Sequence, residues 1–407
     1  MKRRSFLRYF SLTPVLVPAM GNSIAKPAWG ALREDRSSAI TTLFVAGDVM
    51  TGRGIDQILP HPGDPRIFEP YSRSALDYVR LAERTSGPIP RQVDYPYIWG
   101  DALTILDEAA PELRIINLET AVTRRGTPWP GKGIQYRMHP DNTPCLTAAG
   151  IDCCVLANNH VLDWGYTGFE DTLATLRQAK LTTAGAGADR SSVQIPAITS
   201  PAGRRGRILI FACGLPSSGI PGAWAATASR PGLCLLPDLS DETIDDVAAH
   251  IHAHKEHDDL VVISLHWGGN WGYPIPEAHQ RFAHALIDRA GVDLIHGHSS
   301  HHPLGIEVYR GKPVVYGCGD LINDYEGISG HEEYRVDLAL LYLITYDRSR
   351  RELLRLDLFP MQRQKFRLNH AAREDRTWLQ STLDRVSQVL GSRVTQTGEG
   401  VLRLQWG

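Results

Sequence analysis

Four histidines fall within seven residues in Asp293-Leu294-Ile295-His296-Gly297-His298-Ser299-Ser300-His301-His302, where a short apolar run stops abruptly. Neutral imidazole is the commonest protein ligand for divalent transition metals, so the stretch reads as a candidate cation site. A solvated His-rich loop would look the same in isolation. What separates the two readings is that other apolar runs end in the same manner. Residues 40–46 run into Gly47-Asp48, and 113–116 into Asn117-Leu118-Glu119. Residues 153–157 run into Asn158-Asn159-His160, 260–265 into His266, and 312–316 towards Gly319-Asp320.

Carboxylate, amide and imidazole together make a mixed oxygen and nitrogen donor set. Such a set suits Mn²⁺, Fe or Zn²⁺ better than the all-oxygen shells preferred by Mg²⁺ and Ca²⁺. The candidate ligands are Asp48, Glu119, Asn159, His266, His298 and His301, for one or two divalent ions. Asp320 stands open between a cap and a supporting acid. With two ions, Glu119 or Asp48 can bridge, and the pair can generate hydroxide and stabilise a substrate oxyanion. His160 is the candidate general acid, with Asp163 three residues on to orient its ring. Arg53 is placed to meet an anionic substrate group bidentately. A second histidine group, His250, His252, His254 and His257, falls on a predicted helix over 241–256. No acidic partner focuses it, and it reads as a solvated face.

These residues are far apart in sequence, so the fold must gather them. Strand-like runs alternate with helical patterns at 100–110, 141–149, 168–179, 241–256 and 277–290. That alternation predicts α/β layering on a largely parallel or mixed sheet, in which ligand sites gather outside the carboxyl ends of strands. Residues 336–346 and 352–359 read as antiparallel strands closing the sheet, and 371–390 as a terminal helix. Residues 60–96, 127–133 and 214–232 are rich in Gly, Pro or Ala and read as loops, with a helical patch at 74–83.

Composition sets outer bounds. The chain has 407 residues with 43% hydrophobic, 22% charged and a formal net charge of -2, which gives no electrostatic case for nucleic acid or an anionic membrane. Six cysteines without zinc-ribbon spacing read as small buried hydrophobes. Lys2-Arg3-Arg4-Ser5-Phe6-Leu7-Arg8 precedes an apolar stretch broken by Pro14 and Pro18. It resembles a twin-arginine export signal over residues 1–30, followed by a polar linker at 31–39. The expected location is therefore periplasmic or extracellular, with no stable membrane span once the signal is removed.

The pieces Gly47-Asp48-Val49-Met50-Thr51-Gly52-Arg53, Asn117-Leu118-Glu119, Asn158-Asn159-His160 with Asp163 and Gly165, His266-Trp267-Gly268, and Gly297-His298 with His301 run in order. As a set they resemble the CapA family of poly-γ-glutamate capsule biosynthesis proteins, relatives of calcineurin-like metallophosphatases. The resemblance implies a four-layer αββα sandwich with mixed sheets, its main domain at 40–330 and residues 331–407 completing it. It also implies a metal site at the strand ends. In that comparison Asp48 matches the first aspartate, Glu119 the bridging acid, and Asn159-His160 the Asn-His pair. His266, His298 and His301 match the later histidines. The chain departs from the pattern at Met50, where metallophosphatases carry a histidine, and at Gly319-Asp320-Leu321, where Gly-Asn-Phe is usual. The implied function is metal-dependent hydrolysis of an amide or phosphoester in an anionic envelope polymer or a small anionic substrate, alongside other capsule synthesis or export proteins. Two alternatives stand beside it: a periplasmic metallophosphoesterase, and a non-catalytic polymer-binding component of a capsule export complex.

Overall fold

The computed structural model describes residues 39–201, 206–398 and 400–407. The expected signal at 1–30, and all but the last residue of the linker, lie outside the described residues.

Two mixed sheets stack face to face. In the first, the strand Ile40–Val49 is central. On one side it pairs in parallel with Leu113–Leu118, followed by Cys153–Val155 and Thr182–Ala184. On the other side the strands run antiparallel: Leu338–Asp347, Glu352–Gln364, Leu402–Trp406 and Ser392–Gln396. In the second sheet four parallel strands lie in the order Ile208–Gly214, Leu260–His266, Leu294–His298 and Lys312–Val315. Antiparallel edges Ala197–Thr199 and Ile306–Tyr309 close it.

Side chains alternate along each strand, so successive residues of the central strands, buried on both faces, join different cores. Leu43, Val45, Leu113, Ile115, Cys153 and Val155 of the first sheet meet Ile208, Ile210, Leu260, Val262 and Leu294 of the second in one inter-sheet core. The opposite parity of the second sheet, including Leu209, Phe211, Val261, Ile263 and Ile295, packs on the helices Asp241–His254 and Glu277–Ala290. The outer face of the first sheet is covered as well, since Phe44, Ala46, Ile116 and Cys154 are fully buried. This is the layered α/β sandwich expected. The two closing strands Ser392–Gln396 and Leu402–Trp406 were not anticipated; they are short and their exposed positions are polar.

Two local features aim the strand ends. Residues 46 and 48 face consecutive partners, Ile116 and Asn117, so Gly47 is an extra residue in the ladder. Such a bulge reverses the alternation. Asp48 thereby joins the inward face of Leu43 and Val45 instead of pointing out with Ala46. Gly47 also allows close approach: a Cβ there would overlap the carbonyl oxygen of Gly319. The short strand Asp320–Ile322 can therefore lie parallel to the end of the first strand, with Asp320 the register partner of Asp48.

Candidate metal centre

Two register pairs, one from each sheet, build the centre. Asp48, near the end of the first strand, pairs with Asp320, which opens the short strand Asp320–Ile322, and His266 and His298 are paired at the ends of adjacent strands in the second sheet. His301 follows His298, and its Nδ1 lies 2.9 Å from Asp320 Oδ1. Ligand atoms of Asp48, His266 and His298 lie within 4.8 Å of one another, as do those of Asp48, His301 and Asp320. The two triads share Asp48, and all five residues are buried.

The imidazoles are oriented from behind. His298 Nε2 is 2.7 Å from Ser264 Oγ, which leaves Nδ1 facing the centre, 3.8 Å from Asp48 Oδ1. His266 Nε2 is 3.1 Å from Asn159 Oδ1, which leaves its Nδ1 facing that of His298 at 2.7 Å. A histidine ligand commonly gives its second ring nitrogen to such a partner, which sets the tautomer. Burial pushes both rings well below the usual imidazole range, so each keeps a free lone pair at neutral pH.

A cation fits this set. Asp48 Oδ2 is buried with no hydrogen-bond donor. Burial, then the charge of Asp320, pushes the Asp48 carboxyl up to about 7. Burial, then the charge of Asp48, pushes Glu119 up as well. Burial opposes the His301–Asp320 pair, yet their mutual attraction raises the imidazole and lowers the carboxyl. Clustered carboxylates with an orphaned oxygen, beside two imidazole lone pairs, are what a divalent ion stabilises.

Two expected ligands change in detail. Asn159, expected as a ligand, offers its amide oxygen to His266 and so orients that ring. Glu119, also expected as a ligand, stands outside both triads: its Oε2 accepts from Asn117 Nδ2 at 3.0 Å, and its Oε1 is 3.8 Å from His160 Nε2. Asn117 Nδ2 also donates to Asp48 Oδ1 at 2.7 Å, and Asn158 Nδ2 donates to Asn117 Oδ1 at 2.9 Å. This run of amides fixes the two acids side by side.

Arg53 differs more. Its guanidinium donates to both oxygens of Asp324, at 3.0 and 2.5 Å, and to Glu69 at 2.9 Å. The rings of Tyr78 and Tyr136 lie 3.6 and 4.5 Å from it. At 3% exposure it has no face left for a substrate. Arg53 instead ties the loop after the first strand to Asp324, just beyond Asp320.

His160 and Asp163 come together as expected, with Nδ1 2.7 Å from Oδ2. Burial pushes His160 down to about 4, so at neutral pH it carries no spare proton and starts as an acceptor, not as the general acid expected from sequence. Lys132 was not anticipated. Its Nζ lies 2.5 Å from Asp163 Oδ1 and 2.9 Å from His160 Nδ1. The signal available was a lysine between Gly131 and Gly133 in a loop otherwise poor in charge. Met50, in place of a histidine, is fully buried, its sulfur 3.7 Å from the Tyr325 hydroxyl. The other histidine group does not converge: His250 and His254 turn Nδ1 to the carbonyls of Asp246 and His250, at 2.6 and 2.8 Å.

The family model for the bacterial capsule synthesis protein PGA_cap matches residues 42–325, which contain every residue of both triads. This chain belongs to that family. A probable polyglutamine synthesis accessory protein of Mycobacterium tuberculosis is 46% identical over 366 residues, covering 90% of this chain and 96% of the relative. The capsule biosynthesis protein CapA of Bacillus anthracis is 25% identical over 71% of this chain and 61% of its own length. The PGA biosynthesis protein CapA of Bacillus subtilis is 27% identical over 71% and 64%. Among solved structures, a phosphatase from Mycoplasma pneumoniae aligns over 79% of this chain and 94% of its own, at 11% identity and a TM-score of 0.41, too distant a likeness to carry an argument. Among the described residues of this PGA_cap protein, no helix is long and apolar enough to cross a membrane.

Proposed function

We propose that this chain is an exported CapA-like protein acting on poly-γ-glutamate or a related envelope polymer, and that its strand-end cluster is a metal-dependent hydrolase site. The observation that carries this reading is the membership of Asp48 in both triads. Asp48, His266 and His298 would hold one divalent cation, and Asp48, His301 and Asp320 a second. Manganese, iron and zinc suit the mixed donors. Such a cation supplies Lewis-acid polarisation of a substrate oxygen and lowers the pKa of water.

The chain's own residues do the remaining work. Ser264 and Asn159 hold two imidazoles so that their lone pairs converge. Asp163 holds His160 by Nδ1, which leaves Nε2, beside Glu119, to take a proton from the attacking water and return it to the leaving group. Lys132, whose side chain is 13% exposed, meets a carboxylate or phosphate of the substrate, the role expected of Arg53. The relatives named for polyglutamine synthesis and PGA biosynthesis support a glutamyl polymer.

The test is turnover by the purified full chain, with Mn²⁺, of γ-glutamyl oligomers, phosphomonoesters and phosphodiesters. Cleavage of γ-glutamyl bonds that is lost in a His160→Asn variant and in chelator is the expected result. Turnover of phosphoesters alone would make it a metallophosphoesterase. Polymer binding that survives chelation, with no turnover of any substrate, would overturn the hydrolase reading in favour of an assembly role.

A further inference from the structure

Away from the metal centre, Cys213 and Cys234 bring their sulfurs to 2.9 Å. Backbone, not chance side-chain packing, sets that distance. Cys213 lies near the end of the strand Ile208–Gly214, and the returning chain pairs with the next residue on both sides. Gly214 N donates to Cys234 O and Leu236 N donates to Gly214 O, both at 2.9 Å. A disulfide's sulfurs lie about 2.05 Å apart, so these two need to approach by less than 1 Å. Cys213 is buried and Cys234 half-buried, and both line a cavity of about 400 Å³ beside the helix Asp241–His254. A small-molecule disulfide can reach the pair from that cavity.

The segment between them borders the metal centre. Leu215 N donates to His266 O at 3.0 Å, and Ser217 Oγ accepts from Gly268 N at 3.1 Å, on either side of the His266-Trp267 pair. Trp224 packs on Trp129 with ring centroids 5.4 Å apart, and Lys132 Nζ lies 5.4 Å from the Trp224 ring. The segment thus supports both the His266 turn and the Lys132 loop.

We propose that Cys213 and Cys234 form a redox-controlled disulfide that clasps residues 215–233 against the candidate site. In the first exchange, Cys234 as thiolate attacks one sulfur of an external disulfide and releases a thiolate. In the second, Cys213 loses its proton and displaces the second small thiol from Cys234. Two protein thiols and one external disulfide become one protein disulfide and two small thiols. The proposal does not rest on the hydrolase reading.

The test treats the reduced full chain with oxidised glutathione, then counts thiols in denaturant and maps non-reduced peptides. The expected result is loss of two of the six thiols. A 213–234 cross-link should appear, with no loss of thiols in a Cys234→Ala variant beyond the one replaced. Amide hydrogen exchange over residues 216–224 should slow in the oxidised chain. Six titratable thiols after treatment, glutathione retained on Cys234, or a cross-link between other cysteines would overturn the disulfide. Unchanged exchange over 216–224 in a cross-linked chain would overturn the clasp.

Discussion

His266 and His298 are register partners at the ends of adjacent parallel strands, and their Nδ1 atoms face each other at 2.7 Å. Two imidazoles so close, each with its far nitrogen engaged by Ser264 or Asn159, are arranged to share an ion. Each partner therefore has a measurable role. A Ser264→Ala variant should fold normally and bind metal roughly 10–100-fold more weakly, and Asn159→Ala should behave alike. Metal titration by calorimetry checks both; unchanged affinity would remove these residues from the support of the centre.

On the proposed two-ion reading, Asp320 would set the count of ions. It belongs to the triad that lacks the second-sheet histidines, while Asp48 belongs to both. Asp320→Asn should lower the metal content of the protein, with the ion at His266 and His298 retained. Asp48→Asn should remove both. Metal-to-protein ratios from elemental analysis of the two variants decide this, and equal loss in both would contradict two sites sharing one acid.

Arg53 holds buried acids together. Breaking a buried ion pair by removing one partner typically costs about 3–5 kcal/mol. Arg53→Met, which leaves Asp324 and Glu69 buried without their cation, should lose stability in that range by denaturant unfolding. A variant as stable as the parent, but with a raised KM for anionic substrates, would return Arg53 to substrate binding.

His279 gives a pH signature apart from the metal. It is buried and stacked on Trp267 with ring centroids 4.4 Å apart, and burial pushes its pKa from 6.5 down to about 4. A base depressed in the folded state contributes stability above its unfolded pKa, and that contribution is lost as pH falls through the folded value. The parent should lose stability between pH 6.5 and 4 more steeply than His279→Phe, which keeps the stack. Thermal melts across that window check it; parallel curves would assign the acid sensitivity to other groups.

The strand-end acids and imidazoles were legible because each interrupts an apolar run, an event with few structural causes. Gly47 reads from sequence as the boundary of such a run; in the structure the strand continues through it with a bulge that turns Asp48 inward. Which atoms take part was not legible. Asn159 and Glu119 carry competent oxygens, but whether these face the ion or a neighbouring ring depends on distances of an ångström or two that residue type does not encode. Arg53 was misjudged for the same reason: its partners Glu69 and Asp324 come from a long loop and from beyond the last strand of the centre, so nothing local marked it as already paired. Lys132 sits in a loop with no hydrophobic period, and only tertiary folding carries it to Asp163.

On the proposed reading the two sheets close around a cation at Asp48. Its most direct test is elemental analysis of the full chain purified without chelator, beside His298→Ala prepared in parallel. A bound divalent transition metal is expected in the parent and a marked loss of it in the variant, with the fold of the variant intact by circular dichroism. A parent free of metal that gains none on incubation with Mn²⁺, Fe²⁺ or Zn²⁺, or a variant with the parent's full metal content, would contradict it.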